Sequence, residues 1–253
     1  MQAALMVLQL LLGATVVVLL LHYALERRLI ARFAHSAAGD APCERRMDAA
    51  LRLGSAVFSL VRACPDDPCF LPVPVLASLG ATPGRVLRVG GTCSGKSRVA
   101  IVALRAMGIP AAQVTLYHSD GHAQHCVVEA KCRGGPVMFD PVYGLYFVND
   151  GGQPVGLAAL RAGQRPAFRG LAQGDPREYP RHEYFDFDYS NSRTANWTQS
   201  RARRTAYRVL TVLTRGRIDE LRQPVFAEWP QLLLGVGFGF ALIAAHLVAI
   251  NVG

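Results

Sequence analysis

Gly90-Gly91-Thr92-Cys93-Ser94-Gly95-Lys96-Ser97 is the stretch on which the reading of this chain turns. It stands directly before the helical run Ser97 to Leu104, which puts Cys93 at a helix N-terminus. There the helix dipole and the unsatisfied N–H groups of the first turn favour a thiolate. The same N–H groups suit a developing oxyanion. A His follows at 125 and an Asp at 140, the latter in Phe139-Asp140-Pro141. A thiol nucleophile needs a base and an orienting acid from separate elements, and these residues supply the set. The stretch also spells Gly90-x-x-x-x-Gly95-Lys96-Ser97, the pattern of a phosphate-binding P-loop. Two chemistries compete for one loop.

The flanking sequence weighs between them. A P-loop needs a buried strand ahead of the glycines and parallel strands beyond. Val86–Val89 reads as a short extended piece after the turn Ala81-Thr82-Pro83-Gly84, but it contains Arg88. The Cys93 helix is expected to run to about Met107 and to stop at Gly108-Ile109-Pro110. Strands are expected over Ala112–Tyr117, Gln124–Ala130 and Val137–Asp140, with Tyr146–Val148 as a continuation. Arg133-Gly134-Gly135-Pro136 reads as a hairpin turn, so the sheet is antiparallel and nucleotide binding is the lesser alternative. If the hairpin pairs 125 with 140, then 127 pairs with 138. His125 and Asp140 then share one face of the sheet, where the Cys93 helix is expected to pack.

Residues about 88–148 resemble the core of the transglutaminase-like superfamily, which is related to papain-like thiol enzymes. The resemblance is carried by Gly91-Thr92-Cys93, the helix end Leu104-Arg105-Ala106-Met107-Gly108-Ile109-Pro110-Ala111, His125-Cys126-Val127-Val128-Glu129 and Phe139-Asp140-Pro141. It implies Cys93 as nucleophile, His125 as base and Asp140 as orienter. It further implies acyl transfer or amide hydrolysis on a peptide or protein amide. Val127 stands where many members have an aromatic, no upstream Gln offers a side-chain oxyanion donor, and Lys96 is unusual after the Cys. Lys96 reads as a solvated residue at the helix start, with a lowered Cys93 pKa as its alternative role.

The ends of the chain are of another kind. The composition is 51% apolar and 18% charged. Residues 3–21 carry no charge, and residues 229–253 carry none apart from His246. Each run is long enough for the ~20 residues of a spanning helix. No Lys or Arg precedes the first run and no small-residue cleavage site follows it, so a retained anchor is expected over a cleaved signal peptide. Arg27, Arg28 and Arg32 follow the first span, and Arg215, Arg217 and Arg222 precede the second. By this bias the central domain is expected in the cytoplasm, in a protein of the bacterial inner-membrane type. The net charge of +9 is explained in part by such arginines, together with Arg201, Arg203, Arg204 and Arg208. Attraction to anionic lipid is the expected consequence, and nucleic-acid binding is not expected.

Several residues take modest readings. His122 belongs to a loop, and Cys126 points away from His125 as a buried hydrophobe. Asp186 and Asp188 alternate with aromatics as in a strand with one wet face. Tyr143 and Trp197 are expected in core packing, and the sequon Asn196-Trp197-Thr198 carries no weight on the cytoplasmic side. Cys64 and Cys69 are the one pair spaced for a local bridge, though free thiols are expected in a reducing compartment. No zinc-ligand spacing is present, and neither metal nor cofactor is expected.

The organisation expected is α+β: a transglutaminase-like, papain-like core with an antiparallel sheet and N-terminal helices, flanked by two transmembrane helices. The divisions are a spanning helix at 1–25, a helical lead-in at 26–80, a catalytic core at 81–165, an irregular cap and basic helix at 166–226, and a spanning helix at 227–253. Within these, 43–63 reads as an amphipathic helix, Pro74–Leu79 and Val155–Ala162 as short helices, 163–200 as irregular, and 201–221 as a basic helix. Partners expected are the amide substrate, membrane lipids along the spans, and membrane proteins. A non-catalytic scaffold of the same fold, binding a peptide or membrane partner, is the alternative from another class.

Overall fold

Val99, Ala100, Ile101, Val102, Ala103 and Leu104 form an unbroken apolar run, and every one is buried. A helix apolar on all sides must be enclosed on all sides. Helix α4 (Cys93–Ala106) accordingly sits at the centre of the domain. The computed structural model describes residues 2–39, 46–60, 81–171, 184–192, 201–216, 218 and 228–252. Helices α1 (Gln2–Ala38) and α2 (Arg46–Ser59) pack on α4 from one side, and the sheet packs from the other. The α1 residues buried in this core are Ile30, Ala34 and Ala38, one every helical turn, with Phe33 and Ala37 packed beside them. The expected helix Pro74–Leu79 and the Cys64–Cys69 pair lie outside the described residues.

The sheet is antiparallel and five-stranded, in the order β1 (Ala111–Tyr117), β2 (Ala123–Cys132), β3 (Gly135–Asp140), β4 (Leu145–Val148) and β5 (Ala167–Gly170). One face presents Ala111, Val128, Ala130, Val137 and Phe139 to α4. The other presents Val114, Leu116, Val127, Met138, Leu145 and Phe147 to a second core, completed by Leu157, Leu160, Tyr184, Phe187 and Tyr189. Leu157 and Leu160 belong to α5 (Leu157–Arg161), where Glu129 accepts a hydrogen bond from the Leu157 N–H at 2.8 Å. Tyr189 opens a 3₁₀ turn (Tyr189–Asn191). Helix α6 (Arg201–Leu213) and the terminal helix α7 (Pro230–Val252) complete the order.

Four expectations are corrected. Residues 83–89 are not a turn and an extended piece but helix α3 (Pro83–Val89). The sequence does carry the signal: Thr82 is the N-cap, accepting from the Arg85 N–H at 3.2 Å, and Pro83 opens the helix. Residues 163–200 are not wholly irregular, because β5 extends the sheet through Phe168, whose ring meets Phe147 at 5.2 Å. The hairpin register differs by two, with Val128 opposite Phe139 and Glu129 opposite Met138. An even shift keeps His125 and Asp140 on one face. That face, however, is the one turned away from α4, which packs on the side of Val128, Ala130 and Phe139.

Helices α1 and α7 pack against each other and are both long and apolar enough to cross a membrane. Their apolar side chains are turned outward: Leu10, Leu11, Val18 and Leu21 on α1, and Phe240, Ile243 and Ile250 on α7, are all exposed. At their inner ends the contacts become polar. Glu26, 3% exposed, accepts from Thr82 Oγ1 at 2.5 Å and from Gln231 Nε2 at 2.7 Å. Tyr23 meets Trp229 edge-on at 5.1 Å. Glu228, just before α7, faces Arg98 at 3.9 Å and Arg105 at 3.8 Å, both on α4.

This double ion pair ties the terminal helix to the central one. Removing one partner from a buried pair leaves the other charges uncompensated. Since the two arginines are partly exposed, Glu228→Ala should lower stability by about 2 kcal/mol, and Glu228→Gln by less. Denaturant unfolding of the detergent-solubilised chain measures it, and an unchanged midpoint would show the pair to be screened by solvent.

Candidate active site

Cys93 is the first residue of α4, and Ser97 one turn later fastens that turn to β2 by donating to the Cys126 carbonyl at 3.3 Å. On β2 the register slips by one between Leu116 and Tyr117, leaving Gln124 as an extra residue just before His125. Such a bulge re-aims the side chain beside it. His125 is 7% exposed and its Nε2 bonds Asp140 Oδ2. Its other ring nitrogen is left for Cys93, with which it shares a hydrogen bond. Cys93 thus meets both His125 and its strand neighbour Cys126.

Asp140 ends β3 and has no exposed surface. Both of its oxygens are fully engaged. Oδ1 accepts from the N–H of Val142 at 2.7 Å and of Tyr143 at 3.1 Å, and Oδ2 accepts from His125 and from the Tyr184 hydroxyl at 2.5 Å. Burial alone raises a carboxyl pKa, but the His125 charge and these hydrogen bonds outweigh it and hold Asp140 below its ordinary value. His125 moves the other way. Burial opposes its charge, yet Asp140 and Cys93 together raise its pKa to about 10. The Cys93 thiol is lowered to about 5, first by a hydrogen bond from Cys126 and then, against burial, by His125. Cys126 is pushed well above the ordinary thiol range by Cys93 and by burial, and remains the donor. The opposite directions of the two shifts favour a thiolate–imidazolium pair at Cys93 and His125.

Other expectations resolve here. Lys96 is not solvated at the helix start. It is 2% exposed, and its ammonium donates to the Phe58 and Leu60 carbonyls at 3.2 and 3.3 Å, at the end of α2. A buried, engaged lysine and a helix in place of the preceding strand do not make a P-loop. Asp188 is not in a strand: it caps the 3₁₀ turn through the Ser190 N–H at 3.0 Å. His122 lies in an exposed turn, its N–H held by Asp120 at 2.8 Å. Tyr143 packs its ring on His125 at 5.3 Å, while Trp197 lies outside the described residues. Among the described residues no three His, Cys, Asp or Glu side chains form a metal-ligand group.

Two contributors were missed. Cys126 points away from His125 as expected, but its thiol touches Cys93 and also accepts from Gln113 Nε2 at 3.2 Å. Tyr184 reaches Asp140 from a segment with no periodic signal, anchored by the Asp188 N–H to the Tyr117 carbonyl at 2.8 Å. The alternating aromatics of 184–189 were the visible trace of it.

Residues 79–141 match the transglutaminase-like superfamily. The match runs from before α3 to the end of β3 and contains Cys93, His125 and Asp140. The chain is thus α+β, with helices ahead of an antiparallel sheet and a long apolar helix at either end, and the part of it from α3 to the end of β3 is similar to a transglutaminase-like core. A crystal structure described as a "putative protease" from Parabacteroides distasonis ATCC 8503 is similar at 19% identity with a TM-score of 0.35. The similarity covers 45% of this chain and 23% of that one, so this chain spans less than a quarter of that protein. No curated protein matches the chain.

The Tyr184 contact gives a pH-dependent prediction. A carboxyl held below its ordinary pKa contributes stability that is present above that value and is lost as pH falls through the folded one. Tyr184→Phe removes one donor to the charged form and should cost about 2 kcal/mol at neutral pH. The cost should shrink as acid protonates Asp140, and should be smaller in an Asp140→Asn background. Urea unfolding of the four variants across the acid range tests this; a pH-independent cost would assign Tyr184 to packing alone.

Proposed function

We propose that this chain is a membrane-anchored thiol enzyme that forms an acyl-enzyme from a peptide or protein amide and passes the acyl group to water or an amine. One observation carries the reading: the buried Asp140–His125 pair abuts Cys93 at the start of α4, with Cys93 near pKa 5 and His125 near 10. In this scheme Cys93 Sγ is already a thiolate and attacks the carbonyl carbon. The first-turn N–H groups of α4 receive the oxyanion. The His125 imidazolium gives its proton to the departing nitrogen as the tetrahedral intermediate collapses to a thioester. Neutral His125 then takes a proton from water or an amine as it attacks the thioester, and Cys93 leaves as thiolate. Asp140 keeps the imidazole oriented and its charge matched, as an orienting carboxylate does.

The matched family and the low Cys93 pKa support hydrolysis or transfer at amides; they leave the choice between these two to the acceptor. The outward apolar surfaces of α1 and α7 support anchoring, since a soluble core helix buries such a surface. The arginines beside both helices support a cytoplasmic core.

The test is iodoacetamide alkylation of Cys93 against pH, read by mass spectrometry. The wild-type midpoint should lie near pH 5. It should rise in His125→Asn and in Cys126→Ala, because each removes a group that favours the thiolate. Hydroxylamine added with a peptide mixture should give hydroxamates that Cys93→Ala abolishes. A midpoint near the ordinary ~8.5, unmoved in His125→Asn, would overturn the enzyme reading in favour of a peptide-binding scaffold.

A further inference from the structure

Gln113 and Thr115 stand two residues apart on β1, so their side chains leave the same face of the sheet. It is the face turned to α4, since Thr115 lies opposite Cys126 and Gln113 opposite Val128. Three side chains close a triangle there. Gln113 Nε2 donates to Cys126 Sγ at 3.2 Å and to Thr115 Oγ1 at 3.2 Å, and Thr115 Oγ1 lies 3.9 Å from Cys126 Sγ. Thr115 is buried and Gln113 half-buried. From the α4 side, Ser97 holds the same strand residue by donating to the Cys126 carbonyl. The chemistry proposed above uses neither Gln113 nor Thr115.

A thiol has one proton to give, and its sulfur is a weak acceptor. The Cys126 proton has two acceptors within reach, Cys93 Sγ and Thr115 Oγ1. The hydroxyl is distant and already accepts from Gln113, whereas an ionised sulfur makes the stronger bond. An amide N–H donates and cannot accept, so Gln113 Nε2 fills an accepting side of the Cys126 sulfur without drawing on its proton. We propose that Gln113 is a positioning residue for the nucleophile: with Thr115 it holds Cys126 Sγ from the β1 side, so that the Cys126 S–H points at the Cys93 sulfur. The inference rests on the thiol-enzyme reading of Cys93. The other ionisable groups that act on this thiol pair are His125 of β2 and Asp140 of β3, and both reach Cys93 directly. In the proposed cycle the directed S–H favours Cys93 whenever it carries charge, before attack and again when it departs as thiolate from the acyl group.

Alkylation of Cys93 against pH in the full chain tests it, with the unfolding midpoint of each variant measured alongside. Gln113→Leu should raise the alkylation midpoint by about one pH unit. Thr115→Val should raise it by less, and Thr115→Ser should keep the wild-type value. In a Cys126→Ala background, Gln113→Leu should change nothing further, because the group it acts through is gone. Equal shifts with and without Cys126, or no shift in folded Gln113→Leu protein, would overturn the inference. If Gln113→Leu unfolds the chain, the Thr115 pair decides, and equal midpoints in Thr115→Val and Thr115→Ser overturn it. His125→Asn separates this inference from the reading beneath it. A low wild-type midpoint that rises in His125→Asn but not in Gln113→Leu removes the positioning role alone. A midpoint at the ordinary thiol value, unmoved in His125→Asn, removes the thiol enzyme.

Discussion

A carboxylate with no exposed surface cannot keep its charge without compensation, and Asp140 is such a group. Four donors surround it: two backbone N–H groups of the turn that follows, the His125 ring and the Tyr184 hydroxyl. Each fixes a different part of the molecule. The backbone pair shapes the turn out of β3, His125 sets the start of β2, and Tyr184 draws the segment 184–192 over the second core. The proposed chemistry depends on this arrangement, because only a charged Asp140 holds a charged imidazole beside Cys93. Desolvation opposes each ionised group singly, while mutual compensation sustains the set.

Buried carboxylates also mark the other end of the domain, though there burial outweighs the two arginines and holds the Glu228 carboxyl above its ordinary value. Glu26 and Glu228 are buried carboxylates at the junction between the apolar helices and the core. Glu26 joins α1 to Thr82 and to Gln231 of α7, and Glu228 faces two arginines of α4. The apolar helices and the core would otherwise meet through apolar contacts with little directional preference. Hydrogen bonds and ion pairs supply the direction, and the ion pairs of Glu228 run to the helix that begins with Cys93.

How far the sequence is legible follows from which signals are local. The α4 helix was readable from its apolar run and its Gly108-Ile109-Pro110 stop, and the strands β1 to β4 from their bounds at turn residues. Parity of the hairpin was readable too, since an even error in register leaves the faces unchanged. What failed was non-local. The capping signal at Thr82-Pro83 competes with an equally good turn signal, and contact with Glu26 from α1 is what selects the helix. The face covered by α4 is not announced by the hairpin, because both faces of the sheet carry apolar side chains. Strand β5 has no strong alternation of its own and forms because β4 offers an unpaired edge. Tyr184 lies 44 residues from Asp140, and no local pattern announces the contact.

Cys93 and Cys126 show most sharply why identity in sequence does not give chemistry. They are the same side chain, they touch, and their pKa values are driven in opposite directions. Two adjacent thiols do not both ionise in a buried site, because the second negative charge has no compensation left. Cys93 takes the charge because it lies at the helix start and shares a hydrogen bond with His125. Cys126 is the more deeply enclosed, facing α4 from within the sheet, and stays protonated. Its proton then becomes useful: as the first-named donor to Cys93, it stabilises the thiolate that suppressed its own ionisation. A residue that reads from sequence as a small buried hydrophobe is thereby a polar neighbour of the proposed nucleophile. The difference comes from surroundings, with His125 and Cys126 both serving the Cys93 thiolate while burial and the neighbouring charge keep Cys126 protonated.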